Sequence, residues 1–490
     1  MVRSITYSRL LLAAALMPLA LNAGAAGAQT GSRQNVISAS ERSQGAKAHP
    51  QLLEQFGGAY SGRQAAYVTQ VGRRIAMQSG IADSQSAYTV TLLNSNLMNA
   101  FAIPGGYVYV TRQLLATMND EAELAFVLGH EVAHVAARHS KKRNTQSTLA
   151  TIGSVLLGAV TGSSQIGNLA GQAGQYLVLG YSRNQEYQAD TLGVRYLAQA
   201  GYDPLAAPDM LAGLGAQSTL EARLQGKQAE DSTPSWASTH PLTSDRVTRA
   251  RALAQKTPVA QRLRNRDAFL AAIDGMLIDD DPRQGIVDGR TFRHPDLRIG
   301  FDAPQGYTIT NSPEAVTIEG RDGQAQFGSG ALGVSLASYI DGVFKAIAGQ
   351  AQIRYSEPQP FRAGSFDGMT SSARASTNSG QVDVTVTAFR ATSSLAYHFV
   401  TITRAGSGLG TFRPMLASFR RLTSEELGSI RARRLDVVTV KANDNVQTLS
   451  ARMAYPDYRL ERFLALNGLA ANERLQAGSK VKIVVYGNAR

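Results

Sequence analysis

The 490-residue chain contains no cysteine. No disulfide can staple it, no N-terminal cysteine can carry a lipid, and any bound zinc must be held by histidine and carboxylate side chains. Histidine is scarce, at 7 residues, and tryptophan occurs once. Long apolar runs are also missing. Leu149 to Val160 is interrupted by Gly153 and Gly158 and stopped by Thr161-Gly-Ser-Ser-Gln165. It is too short to cross a bilayer and reads as a buried helix, with a lipid-touching or lid segment as the alternative. Charged residues make up only 18% of the chain and hydrophobic ones 43%, a globular rather than a disordered balance. The formal charge of +12 favours anionic surfaces. The basic residues are scattered, however, without interleaved aromatics or a nucleic-acid module, so no nucleic-acid partner is expected.

The length allows roughly two to four domains. Met1 to Ala28 reads as a secretory signal: Arg3 and Arg9 start it, Leu10 to Leu21 is its apolar core, and Ala26-Gly27-Ala28 is a cleavage site. The apolar run falls short of a span, which favours a cleaved signal over an anchor and predicts an exported, periplasmic protein.

One stretch carries chemistry: Leu128-Gly-His-Glu-Val-Ala-His-Val135, an HExxH pattern formed by His130, Glu131 and His134. On a helix, residues four apart share a face, so two imidazoles can bind one zinc ion with a carboxylate beside it. The helix has its own support. Asp120 and Glu123 make an N-terminal cap, and Leu124, Leu128, Val132 and Val135 form an apolar stripe. Arg138, Lys141, Lys142 and Arg143 follow, as suits a helix C-terminus. With 7 His and 37 Asp plus Glu, chance would produce the pattern roughly 0.008 times. A three-ligand site still needs one more donor.

Around this stretch, Gln29 to about Pro50 is polar and reads as mobile, and Ala65 to Ala76 has helical spacing. Tyr88 to Leu93 is a strand, Asn99 to Gly106 a turn, and Tyr107 to Thr111 a second strand. That second strand either holds an extended peptide by main-chain hydrogen bonds or is an ordinary core strand. In Tyr181-Ser-Arg-Asn-Gln-Glu-Tyr-Gln-Ala-Asp190, Glu186 and Asp190 sit one turn apart. Glu186 can complete a zinc site, and Asp190 can fix the tautomer of a ligand imidazole; a solvated acidic pair is the alternative.

Four motifs in order resemble the HtpX/BepA/Oma-type zinc metallopeptidases, the family that includes the CAAX prenyl endopeptidase. They are Asn99-Ala-Phe-Ala with Pro104-Gly-Gly, Gly129-His-Glu-Val-Ala-His to His139, Ser182-Arg-Asn-Gln-Glu to Asp190, and Ser238-Thr-His-Pro241 with Arg246. Residues 50 to 255 are covered. The resemblance implies a mostly helical, gluzincin-type peptidase domain with His130, His134 and Glu186 as zinc ligands and Glu131 as base. The chain lacks the membrane spans of HtpX and is closer to the periplasmic BepA-like members. The resemblance also implies that His240, in an extended turn set by Pro241, approaches the zinc. There it acts as a latch in the fourth coordination position, the favoured reading, or as a donor to a developing oxyanion; an ordinary surface-loop histidine is the remaining alternative.

The chain then changes character. Gly285 to Gly289 is linker-like. Between Phe292 and Leu422, strands are expected at Arg298–Phe301, Val316–Ile318, Val382–Val386 and Tyr397–Ile402, with helices near 336–349 and 411–419. The result is an α+β sandwich weakly similar to PsbP/Mog-like domains, in which His294 and His398 are structural or surface residues. Leu435 to Val485 resembles a LysM module in strand-helix-helix-strand order. Its usual Gly-Asp-Thr turn reads Asn443-Asp444-Asn445, with asparagine expected to adopt the left-handed conformation of the glycine. That resemblance implies peptidoglycan binding; a purely structural module is the alternative.

The expected architecture is multidomain α+β: a signal at 1–28, a peptidase domain at 29–278, an α+β domain of unassigned role at 285–425 and a βααβ LysM-like domain at 435–487. The expected function is zinc-dependent proteolysis of envelope or misfolded outer-membrane proteins, with protein or peptide substrates. Peptidoglycan and outer-membrane assembly machinery are candidate partners. A zinc-bound assembly chaperone or a peptidoglycan-associated scaffold is the alternative.

Overall fold

The computed structural model describes residues 35–139, 181–224, 240, 244–313, 315–348, 353–377 and 380–487. The signal stretch, the basic residues 141–143 and the apolar stretch at 149–160 lie outside the described residues. Helix α1 (Ala39–Gln55) occupies much of the segment expected to be mobile. Its start is a reciprocal cap: Glu41 N donates to Ser38 Oγ over 3.3 Å, and Ser38 N donates to Glu41 Oε2 over 2.8 Å. Pro50 lies inside the helix, whose buried residues include Ala48 and Leu52. The Ser38-x-x-Glu41 capping signal is present in the sequence, within a run whose polar composition reads as mobile. Helix α2 (Arg63–Ala76) follows where expected, burying Val68, Val71 and Ile75.

Strands β1 (Thr89–Leu93), β2 (Ala100–Ile103) and β3 (Tyr107–Thr111) form one sheet in the order β1-β3-β2. Two expectations are corrected here. The segment from Asn99 is not a turn throughout, because Ala100–Ile103 pairs antiparallel with Tyr107–Val110 and only Pro104-Gly105-Gly106 turns. All four residues of β2 are buried, so the strand shows no polar alternation. β3 also cannot take up a peptide, since both its edges are already paired, with β1 and with β2. Gly105 and Gly106 have φ of 94° and 85°. A Cβ at Gly106 would stand 2.0 Å from the Ala87 carbonyl, so the turn and its close packing both require glycine.

Helix α3 (Arg112–Thr117) leads into α4 (Glu121–Ala136), which carries the HExxH pattern. Helices α5 (Arg183–Gln199), α6 (Ala206–Leu224), α7 (Ser244–Lys256) and α8 (Arg266–Ile273) complete this part. α4 is buried on all sides from Glu121 to His134, as befits a central helix rather than a surface one.

The middle of the chain is β-rich, as expected, and its strands pair antiparallel. Strands Gln359–Ala363, Phe366–Thr377, Gly380–Arg390, Leu395–Arg404, Gly323–Ala331, Val316–Gly320 and Thr308–Asn311 form a seven-stranded sheet in that spatial order. Helix Leu336–Ala348 supplies Ile340 and Phe344 to one buried cluster, and a phenylalanine-rich cluster including Phe301, Phe399 and Phe419 forms another. Gly285 to Gly289 is not a linker. Ile286–Asp288 is a strand paired with Thr291–Arg293, and Gly289, at φ 58°, turns the two-residue connection.

The C-terminal stretch has the expected strand-helix-helix-strand order: Ala432–Thr439, Val446–Ser450, Arg459–Asn467 and Lys480–Gly487, with the two strands antiparallel. Asn443 and Asn445 do not adopt a left-handed conformation. Asn445 has φ −139° and caps the next helix by accepting from Thr448 N over 2.9 Å, so capping replaces the glycine turn. This stretch does not stand apart. Leu435, Leu449, Phe463 and Ile483 belong to the same buried cluster as Leu128 and Val132 of α4. Lys482 is wholly buried, and its Nζ donates to the Ala116 carbonyl over 2.7 Å and to that of Met118. Among the described residues no helix is long and apolar enough to cross a membrane.

Candidate metal centre

α4 is fixed at its start and crowded at its middle. Asp120 caps it, accepting from Glu123 N over 2.9 Å, and Arg264 pairs with Asp120 at 3.1 Å. α5 starts with its own reciprocal cap between Ser182 and Gln185. The two helices cross at glycines: a Cβ on Gly193 would meet His130 N at 3.4 Å, and one on Gly129 would meet Gly193 Cα at 3.6 Å. This close approach brings Glu186 and Asp190, one turn apart on α5, to the histidines of α4.

His130 Nε2 lies 3.0 Å from His134 Nε2, 3.5 Å from Glu186 Oε2 and 3.3 Å from His240 Nδ1. Glu186 Oε1 lies 3.5 Å from His134 Nε2 and 3.1 Å from His240 Nδ1. All four side chains are buried. Zinc ligands at bond lengths of about 2.0–2.1 Å stand ~3.3 Å apart around a tetrahedron. The spacing therefore fits four donors around one small cation, with His240 among them.

Charge points the same way. With the imidazoles neutral, as metal binding requires, the buried carboxylates Glu131, Glu186 and Asp190 outnumber the one buried guanidinium beside them, Arg246, by two, an excess that a divalent cation would cancel. The groups already lean on one another. Burial alone would raise the Glu186 carboxyl, yet His240 and His130 hold it well below its usual range. Burial would lower His130, but Glu186 and Asp190 raise it to about 9.

The partners of the ring nitrogens orient the donors. His130 Nδ1 lies 3.0 Å from Asp190 Oδ1, which leaves Nε2 to face the cluster. His134 Nδ1 lies 2.8 Å from His139 Nδ1, and His139 Nε2 lies 3.1 Å from Gln188 Oε1. Tyr181 stacks on the His134 ring with centroids 3.6 Å apart. Glu131 is wholly buried, and neither of its carboxylate oxygens has a hydrogen-bond partner among the described residues. Burial raises its pKa, and His240 Nε2 stands 3.5 Å away. A buried carboxylate left without donors, aimed beside a ligand cluster, is suited to exchange a proton with a substrate.

The structure thus gathers His130, Glu131, His134, Glu186, Asp190 and His240 in one place. His294 and His398 lie elsewhere, the latter bonded to Tyr339 at 2.8 Å. Three further residues join the site without a role predicted from the sequence: Arg246, which reaches both Glu186 and Asp190, His139 and Tyr181. The clustering of His130, His134 and His139 in a chain with 7 histidines was a usable signal; Tyr181 gave none.

The helix pair, the donor cluster and the buried carboxylate define a metallopeptidase type of centre. Residues 62–254 match the sequence profile of Peptidase family M48, so the chain carries an M48 domain of the BepA/Oma type. It is similar to the beta-barrel assembly-enhancing protease of Yersinia pestis, 29% identical over 38% of this chain and 38% of that one. It is also similar to the mitochondrial metalloendopeptidase OMA1 of Arabidopsis thaliana, 31% identical over 39% of this chain and 36% of that one. The chain spans about two fifths of the length of these curated relatives. Among solved structures, cyanobacterial PsbP (CyanoP) from Synechocystis aligns over 28% of this chain and 98% of that chain, with 12% identity and a TM-score of 0.22.

Proposed function

We propose that the chain is an exported zinc-dependent endopeptidase that cleaves envelope proteins, including misfolded outer-membrane proteins, in protein quality control. The observation that carries this reading is the set of donor spacings of 3.0–3.5 Å among His130, His134, Glu186 and His240, beside the buried carboxylate of Glu131, which has no hydrogen-bond donor among the described residues. His130, His134 and Glu186 are the zinc ligands. Zinc bound there supplies a Lewis acid that polarises a scissile carbonyl and acidifies water. Glu131 takes the proton at a carboxylate oxygen and returns it to the leaving amine. Asp190, accepting from His130 Nδ1, fixes that ring. The names of the relatives, a beta-barrel assembly-enhancing protease and a mitochondrial metalloendopeptidase, support proteolysis, and the first supports a link to outer-membrane proteins. The Met1–Ala28 signal supports export to the periplasm.

His240 is read as a latch. A catalytic zinc site keeps one coordination position open, and His240 Nδ1 stands within 3.1–3.3 Å of Glu186 and His130, where it would close that position. The alternative for His240, donation to a developing oxyanion, needs it swung away from the ligands. The division at 29–278, 285–425 and 435–487 belongs to the same proposal as a division of the sequence, the last segment sharing the buried cluster of the first; so does peptidoglycan binding by that segment, which its strand-helix-helix-strand order supports. Contact with outer-membrane assembly machinery is the partner reading suggested by the protease relatives.

The experiment is metal analysis of the purified chain with a casein-degradation assay. Stoichiometric zinc and chelator-sensitive degradation support the reading. Zinc without degradation, even after His240→Ala, would favour the zinc-bound chaperone.

A further inference from the structure

We infer that the cavity between the hairpin strands Ile286–Asp288 and Thr291–His294 and the C-terminal strand Ala432–Thr439 is a receptor for the last residue of a polypeptide, holding a free carboxylate and an aliphatic side chain. It shares no residue with the metal centre, and such binding needs no cleavage. The cavity has a volume of about 180 Å³. That is below the ~300–1,000 Å³ of sites that enclose a whole small molecule, and suits one residue. Ile278, Ile286, Val287 and Ile430 give it an apolar lining, and Ile278 and Ile430 are buried. A long acyl chain would not fit and would leave its tail in water. A polypeptide leaves through the mouth with a backbone that water solvates. There Tyr486, 54% exposed and flanked by the Arg433 guanidinium 5.7 Å from its ring centre, offers an apolar face to the residue before the last.

The charges in the wall favour an anion. Three arginines and three aspartates line the cavity, but the two sets are not equally available. Asp279 Oδ2 accepts from Tyr455 Oη over 2.9 Å and from Arg433 Nη1 over 3.3 Å. Asp280 accepts from Asn96 Nδ2 over 2.7 Å and from Val287 N over 2.8 Å. Both carboxylates are thus engaged, and so is Arg433. Asp288 is 60% exposed and stands 3.9 Å from Arg293 Nη1, beyond hydrogen-bond reach.

That leaves Arg293 and Arg431. The Arg293 Nε–H is buried and has no acceptor among the described residues. A buried donor left unpaired costs stability, and an incoming carboxylate would supply the acceptor in a charge-assisted bond. Arg431 is exposed, and its Nη1 donates to the Ile430 carbonyl over 3.1 Å, which fixes a second guanidinium beside the apolar lining. A terminal carboxylate meets the guanidinium groups while its own side chain meets the isoleucines. An amidated terminus lacks the charge, and an acidic last side chain would be buried against an apolar wall.

The test uses the full chain bearing Glu131→Gln, to keep the peptides whole. Fluorescent peptides of one sequence end in leucine with a free carboxylate, in leucine amide, or in aspartate. The leucine acid is expected to bind about tenfold or more tightly than either of the others. Adding Arg293→Gln should bring the acid and the amide to equal affinity; Arg431→Gln, at an exposed position, is the second variant if Arg293→Gln lowers the melting temperature. Equal binding of the three peptides before either change, or an acid preference that survives both, overturns the site. 4-Methylpentanoate, an aliphatic acid of leucine's size without a chain, should compete more weakly than the unlabelled peptide. Competition as strong as the peptide's would overturn the polypeptide as the guest.

Discussion

Arg246 and Asp190 form a two-point ion pair, with Nε 2.7 Å from Oδ2 and Nη2 2.7 Å from Oδ1. The pair is buried, and Nη1 of the same guanidinium reaches Glu186 Oε2 at 2.8 Å. Asp190 in turn holds His130, so one cation steadies two carboxylates and, through one of them, a ring.

Arg246→Gln should therefore lower stability by about 3–5 kcal/mol, the cost of leaving buried charge unpaired. The loss should be larger after chelator treatment, because a bound cation offsets part of the same negative charge. Calorimetry of metal-loaded and chelated protein checks this. An equal loss in both forms would separate Arg246 from the metal site.

Glu131→Gln should keep fold and zinc but lose about 10²–10⁴ in casein degradation, since the amide keeps the shape and cannot take the proton. Degradation near the unmodified rate with zinc retained would remove the base assignment.

His240→Ala should leave zinc bound by His130, His134 and Glu186 and raise basal proteolysis by opening the fourth position. A fall in turnover with zinc retained would instead favour oxyanion donation. No change in activity, zinc content or stability would leave His240 without either role.

Lys482→Ala should cost about 2–4 kcal/mol, from the lost packing of a buried side chain and from the carbonyls of Ala116 and Met118 left without their donor. For the same reason a chain ending at Arg431 should melt well below the full-length protein. Melting of this chain at the full-length temperature would show that the shared cluster contributes little.

His398 makes a pH prediction. Burial lowers its pKa to about 4 from an ordinary 6.5. The unfolded chain then binds more protons between those values, so stability is fully present above about 6.5 and is lost as the pH falls toward 4. The expected loss is on the order of 2 kcal/mol, discounted for the ring's partial exposure. His398→Gln should flatten the melting temperature across that window.

Local sequence determined the elements whose signals are local. The cap at Asp120, the apolar stripe of α4, the HExxH pair and the Glu186/Asp190 spacing depend on residues a turn or less apart, so helical geometry alone fixes them. The absence of cysteine limited the metal donors to histidine and carboxylate. Signals that conflict locally misled. Polar composition up to Pro50 hid a capped helix, the wholly buried β2 lost its alternation, and Gly285 and Gly289 hid a hairpin. Tertiary structure decided the rest, because it depends on distance through space. The Gly129–Gly193 crossing brings α5 against α4, Arg246 arrives from 56 residues beyond Asp190, and His139 and Tyr181 settle on His134. The same holds for the C-terminal strands, whose sequence reads as a separate module. Lys482 is buried because carbonyls 366 and 364 residues away accept its protons, a partnership that no spacing in the sequence encodes.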